Sequence, residues 1–118
     1  LGCRCMNHGS RIVATDVFLG GEDVLEGEEY MTRALKLDSM NACAFDFYAK
    51  PENWKYLPKD VDVLVFPKTE FRYSSGRRCV RCLYRDGSGW GRVYCCVDGR
   101  FDRDCRVAAL ASPQISTT

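Results

Sequence analysis

A chain of 118 residues has the length of one domain, and 46% hydrophobic residues, including six Phe, six Tyr and two Trp, are enough to build a core. No apolar run approaches the ~20 residues of a membrane-spanning helix, so the sequence predicts no membrane span. The formal net charge of +1 hides an asymmetry, because residues 1–66 hold seven Lys and Arg against eleven Asp and Glu, whereas residues 67–118 hold ten against five.

Eight cysteines are the strongest compositional signal, because the chain has a single histidine, His8, to share a metal or catalytic role with them. An even number of cysteines at this density is typical of a secreted domain with disulfides, here four. We therefore expect a secreted protein with Leu1 at or near the mature terminus left by signal-peptide removal. The disulfide cysteines are Cys3, Cys5, Cys43, Cys79, Cys82, Cys95, Cys96 and Cys105, and their pairing is not determined by their spacing.

The N-terminal half predicts a strand, a helix and a second strand. Residues 11–19 are rich in β-branched side chains and are followed by two glycines, which indicates a strand. Residues 22–37 are acidic early and basic late, with apolar residues at helical spacing, which indicates the main helix. Residues 42–49 alternate in polarity, which indicates a half-buried strand with a cysteine near its start.

The next segments predict a loop and a third strand. Residues 51–59 contain two prolines, which favour a loop. Residues 60–66 alternate again, and Pro67 is expected to end that strand.

The clearest local pattern is a β-hairpin over residues 78–97. Residues 78–85 form the outgoing strand, residues 86–91 the turn and residues 92–97 the returning strand. Three glycines and an aspartate in the turn supply the backbone conformations that such a connection needs. Cys95 and Cys96 are adjacent in a strand, so they should point to opposite faces of the sheet.

Together these elements predict an α+β fold with an antiparallel sheet of about four strands, one main helix packed on it and four disulfides. We expect a single domain over residues 1–118, in which residues 112–118 form a disordered tail.

The basic C-terminal region suggests a binding surface, because nine of its ten basic residues are arginines. Arginine and aromatic side chains are the types enriched at binding hot spots. Trp90 is either folded back over the sheet or presented to a partner, and the turn at Gly99 is expected to expose two more side chains. The candidate binding residues are Arg81, Arg85, Trp90, Arg92, Gly99, Arg100 and Phe101. The alternative interpretation is a solvated face whose arginines pair with the acidic half of the chain.

Metal and catalytic sites are less well supported. Cys79 and Cys82 have the spacing of a zinc site, but no second pair of that spacing follows, so disulfides are preferred. A ribonuclease could use His8 with Glu28 or Glu29, yet nothing in the sequence places these residues in one cleft. We therefore predict no catalytic residue, no metal and no cofactor, and keep a secreted, toxin-like ribonuclease as an alternative.

With its eight cysteines, predicted acidic helix and Cys-bridged antiparallel sheet, the chain resembles the small secreted avirulence effectors of plant-pathogenic fungi. The group it is most similar to is the Leptosphaeria avirulence and suppressing family. The resemblance rests on architecture, so it assigns no role to any numbered residue. It implies a disulfide-bonded α+β fold without catalysis, in a secreted effector that acts around plant cells or is translocated into them and is detected by plant immune receptors. We expect a monomer that binds a host protein. The competing class is a module that binds an anionic ligand, a phospholipid or a nucleic acid, through the same arginines.

Overall fold

The computed structural model describes residues 12–110. Two α-helices, a 3-10 helix and seven strands occur in this part of the chain. In chain order they are β1 (Ile12–Thr15), β2 (Val24–Glu26), α1 (Gly27–Ala34), α2 (Ala42–Ala49), the 3-10 helix (Pro51–Tyr56), β3 (Val63–Arg72), β4 (Arg78–Asp86), β5 (Gly89–Cys96), β6 (Arg100–Asp102) and β7 (Cys105–Leu110). Cys3, Cys5, His8 and the predicted tail at 112–118 lie outside the described residues.

The strands form two sheets. Five of them make the main sheet in the order β1-β7-β3-β4-β5, and β2 pairs with β6 in a small second sheet. All pairs are antiparallel except β3 and β7, which run parallel. The α+β class is confirmed, whereas the expected antiparallel sheet of about four strands with one main helix is corrected to a five-stranded mixed sheet with two α-helices.

The segment 42–49 is helix α2, so the prediction of a strand there was wrong. The side chain of Asn41 caps the helix by accepting a hydrogen bond from the backbone N–H of Ala44 at 3.1 Å. The buried residues are Ala44, Phe45, Tyr48 and Ala49, which is the spacing of one helical face. The short segment is compatible with both the alternation of a strand and the spacing of a helix, and packing against the sheet favours the helix.

The other predicted elements occur with different limits. The main helix covers only Gly27–Ala34, because Val24–Glu26 pairs with β6 instead. Strand β3 continues through Pro67, which was expected to end it. Its register against β4 shifts between Phe66 and Phe71, so Pro67 lies in an irregular stretch where its missing N–H is tolerated.

The main sheet is covered on both faces. On one face α2 packs over the sheet, with Phe45 and Phe66 in an edge-to-face contact at 5.2 Å. On the other face Tyr30 of α1 stacks on Phe101 of β6 at 4.4 Å, above Val65. The continuous apolar run at residues 63–66 is typical of a strand that is buried on both sides.

Gly27 joins helix α1 to the turn after β5. Its N–H donates to the carbonyl of Gly99 at 2.8 Å, and a Cβ at this position would overlap the carbonyl of Val97. We expect Gly27→Ala to lower the free energy of unfolding by about 1–3 kcal/mol, the usual cost of overpacking, in a denaturant titration. Gly20→Ala is the matched control, because nothing lies within 4 Å of a Cβ there. Equal losses in the two variants would contradict the close approach.

Candidate binding face

The predicted hairpin is confirmed, with a tighter turn than expected. Strands β4 and β5 pair without a shift as far as Asp86 and Gly89, so only Gly87 and Ser88 form the connection. The carboxylate of Asp86 stabilises it by accepting hydrogen bonds from the backbone N–H and the hydroxyl of Ser88, at 2.8 and 3.0 Å. Trp90, which was predicted in the turn, therefore lies within β5.

The pairing of the two strands places four of the predicted binding residues on one face of the sheet. This is the face on which α2 packs, and Leu83 in its centre belongs to the buried cluster that includes residues of the helix. The cross-strand pairs on it are Arg81 with Tyr94, Leu83 with Arg92, and Arg85 with Trp90. We call Arg81, Arg85, Trp90, Arg92 and Tyr94 the hairpin face.

Aromatic rings lie close to two of the three cations of the hairpin face, Arg81 and Arg85. The guanidinium carbon of Arg81 lies 5.0 Å from the ring centre of Phe71 and 5.6 Å from that of Tyr94. The guanidinium of Arg85 lies 5.9 Å from the ring of Trp90. These are cation-π distances, which hold a guanidinium in place while its N–H donors stay available.

Most other arginines of the basic half are already paired with carboxylates. Within residues 12–110 the bridges of this group are Arg77 to Asp98 at 3.1 Å, Arg78 to Glu70 at 2.7 Å and to Glu28 at 2.5 Å, Arg100 to Glu26 at 3.2 Å, and Arg103 to Asp16 at 3.2 Å. Pairing between the basic and acidic halves is thus real for Arg78, Arg100 and Arg103. In the same part of the chain no salt bridge reaches Arg81, Arg85 or Arg92.

Trp90 was expected to be either folded back over the sheet or presented to a partner, and its position combines the two. Its indole is half-buried and packs against the core on the α2 side, with Arg85 over the ring. It is therefore folded onto the sheet, and its accessible part belongs to the hairpin face.

Three predicted binding residues do not belong to this face. Phe101 was expected to be exposed, but it is only 2% exposed because it stacks on Tyr30 in the core beneath α1. Arg100 is exposed and paired with Glu26. The carbonyl of Gly99 accepts the hydrogen bond from Gly27, which gives this turn a structural role. The expectation that this turn extends the binding surface with Phe101 is corrected.

Two exposed tyrosines, one on the hairpin face and one beside it, were not identified from the sequence. Tyr94 is 50% exposed and Tyr73 is 43% exposed, and Phe71 lies between them with ring centres 5.1 and 5.4 Å away. The strand alternation that groups Arg92 with Trp90 also includes Tyr94, so that residue could have been found. The contribution of β3 depends on a register shift that the sequence does not reveal.

The cysteines of the hairpin form two close pairs on opposite faces. The sulfurs of Cys79 and Cys96 are 3.0 Å apart, and those of Cys82 and Cys95 are 2.8 Å apart. These distances are longer than the S–S bond of about 2.05 Å, so the pairs are near disulfide distance without being bonded. Cys43 is disulfide-bonded.

The positions of the cysteines and acidic residues also bear on the zinc site and the ribonuclease considered above. Cys79 and Cys82 point to opposite faces and do not converge on one ion, and within residues 12–110 no group of three potential ligands could hold a metal. Burial raises the pKa of the Cys105 thiol to about 12, so in its reduced form it stays protonated at neutral pH. Glu28 and Glu29, the bases considered for a ribonuclease, form ion pairs with Arg78 and Arg33.

In the described part of the chain, no helix has the length and apolar character needed to cross a bilayer.

No protein-family model matches the sequence, and neither the curated proteins nor the solved structures contain a significant match. The hairpin face is therefore interpreted from its own chemistry.

Proposed function

We propose that this protein is a secreted, non-enzymatic effector that binds an acidic surface of a host protein through its hairpin face. The observation that carries the proposal is the group of guanidiniums at Arg81, Arg85 and Arg92, which form no salt bridge within residues 12–110. Two of them, Arg81 and Arg85, also lie over partly exposed rings. Carboxylates are the natural partners of such groups, because the planar fork of arginine matches them in bidentate hydrogen bonds. Aromatic residues next to arginine are typical of protein-binding hot spots.

The proposal includes an oxidising compartment. Cys79 with Cys96 and Cys82 with Cys95 need only small side-chain movements to form bonds, and two further disulfides would use the remaining four cysteines. Cross-links of this kind stabilise a small extracellular domain. The resemblance to avirulence effectors extends the proposal to a monomer that enters host cells and is recognised by plant immune receptors.

Removing charge from the hairpin face should weaken binding to an acidic chain. The probe is fluorescein-labelled poly-L-glutamate, measured by fluorescence anisotropy at about 50 mM salt, where exposed charges are only partly screened. We expect Arg85→Gln/Arg92→Gln to raise Kd at least ~10-fold, because it removes two guanidiniums that form no salt bridge within the described residues.

The matched control is Arg77→Gln/Arg100→Gln, which removes the same charge from exposed arginines already paired with Asp98 and Glu26. We expect its Kd to stay within about 2-fold of the parent, because exposed ion pairs leave little attraction for a further anion. Equal weakening by the two variants would show that net charge alone governs binding, and the proposed face would be rejected. Tighter binding of polyuridylate or of phosphatidylserine vesicles than of polyglutamate would favour the anionic-ligand class instead.

A further inference from the structure

Strand β5 is an edge of the main sheet. It pairs with β4 on one side, and in the described part of the chain no strand pairs with it on the other. Two backbone bonds set the pattern of the ladder: Val97 N–H donates to the carbonyl of Arg78, and Arg85 N–H donates to that of Asp62, both at 2.9 Å. Hydrogen-bonded pairs alternate in an antiparallel ladder, so Gly91, Val93 and Cys95 bond to β4. The backbone groups of Trp90, Arg92 and Tyr94 therefore point away from the sheet.

The residues with open backbone groups are the same residues whose side chains lie on the hairpin face. The cation of Arg92 therefore stands directly beside the position of an added strand, which would run about 4.8 Å from β5, with Trp90 and Tyr94 on either side of it. Arg81 and Arg85 lie one strand further in, within reach of long acidic side chains. Alternate residues of an added strand would thus meet guanidiniums that form no salt bridge within residues 12–110.

The opposite face of the same edge is apolar. Val93 is 37% exposed and Tyr84 is 39% exposed on that side. Gly91 leaves room for the Tyr84 ring, because a Cβ at Gly91 would lie only 2.6 Å from Cε1 of that ring. The ring therefore covers the glycine at the outermost strand, where it would contact an apolar residue of a neighbouring strand.

A second copy of this chain fits the edge poorly. Two β5 strands in antiparallel pairing would bring their Arg92 side chains close together on one face, and like charges on neighbouring strands are destabilising. Arginine at an edge strand thus opposes self-association while it attracts an acidic partner.

We infer that the partner binds by strand addition: an extended segment with acidic and apolar residues in alternation pairs with β5, its carboxylates on the hairpin face and its apolar side chains against Val93 and Tyr84. This inference rests on the proposed function and specifies the form that the binding takes. Backbone hydrogen bonds supply affinity in this mode, and the alternating side chains supply specificity.

The test uses the full oxidised chain and a synthetic peptide of alternating Glu and Val, flanked by Thr and labelled with fluorescein. Two further peptides carry backbone N-methyl groups, one on all Glu residues and the other on all Val residues. Only alternate residues of an added strand point their N–H groups at the neighbouring strand. We expect one N-methylated peptide to bind at least ~10-fold more weakly than the parent peptide and the other to stay within about 2-fold.

Each result decides between the two proposals. If both N-methylated peptides bind like the parent, or both weaken alike, strand addition is wrong; the proposed function survives in that case as long as Arg85→Gln/Arg92→Gln still weakens binding of the parent peptide. If the parent peptide does not bind at all, strand addition is wrong; the proposed function fails with it only if poly-L-glutamate also does not bind.

Amide hydrogen exchange gives a second measurement at residue level. In the free protein the amides of Arg92 and Tyr94 should exchange fast, and those of Val93 and Cys95 should exchange slowly, because only the latter two point their N–H groups at β4. The peptide should slow Arg92 and Tyr94 at least ~10-fold if it adds as a strand. Unchanged exchange at these two amides in the saturated complex would overturn the inference.

Discussion

Replacing Phe101 with alanine should lower the free energy of unfolding by about 3–5 kcal/mol, as truncation of a buried phenylalanine usually does. The ring is 2% exposed and stacks on Tyr30 at 4.4 Å, in the layer that joins β6 and α1 to the main sheet. Truncation removes this contact and leaves a cavity beneath α1. Denaturant titration of the oxidised protein, followed by tyrosine and tryptophan fluorescence, measures the change.

Tyr94→Ala is the matched aromatic control for that measurement. Tyr94 is 50% exposed on the hairpin face, and surface substitutions usually change stability by no more than about 0.5 kcal/mol. The binding assays should show the opposite order, with Tyr94→Ala weakening the acidic peptide and Phe101→Ala acting only through folding. A stable Phe101→Ala variant with impaired binding would return Phe101 to the binding surface and contradict its place in the core.

The second large effect concerns the sulfurs of the hairpin. We expect intact-mass analysis of the native protein to show no alkylated cysteine before reduction and eight after it. If Cys79 and Cys96 form the proposed disulfide, the double variant Cys79→Ala/Cys96→Ala should lose about 3 kcal/mol of stability, because that bond would link residues 17 positions apart.

Comparison of the same double variant with the parent under reducing conditions separates the loss of a disulfide from the effect of replacing two side chains on packing. After reduction, the parent and the variant should differ in stability by much less than in the oxidised state, since the proposed disulfide would then be absent from both. Alkylation of Cys79 or Cys96 in the native, unreduced protein would show that this pair is not a disulfide. It would also remove the main support for an oxidising compartment.

The sequence alone determined the features that depend on local periodicity. The glycine-rich turn and the alternating residues on either side of it specify the hairpin, with Arg81 and Arg85 on one face of β4. The same period of two sends Cys95 and Cys96 to opposite faces, where the structure places them. The α+β class followed from these patterns together with the charge gradient of the main helix.

Tertiary structure decided every feature that depends on contacts between distant segments. The pattern of residues 42–49 is compatible with a strand and with a helix. The helix forms because its apolar side chains are buried against one face of the main sheet. Phe101 lies in a segment rich in turn residues, for which the sequence predicts exposure. It is buried because β6 pairs with β2 and the ring stacks on Tyr30.

The charges of the arginines show the same division between local and long-range information. The sequence shows that guanidiniums are abundant, but not which of them have partners. Arg78 bonds to Glu28 across 50 positions and Arg103 to Asp16 across 87, so their partners are fixed by the fold. Arg81, Arg85 and Arg92 form no such bridge in the described chain, and this too is a result of the fold, because the carboxylates that could pair with them lie elsewhere in the sequence.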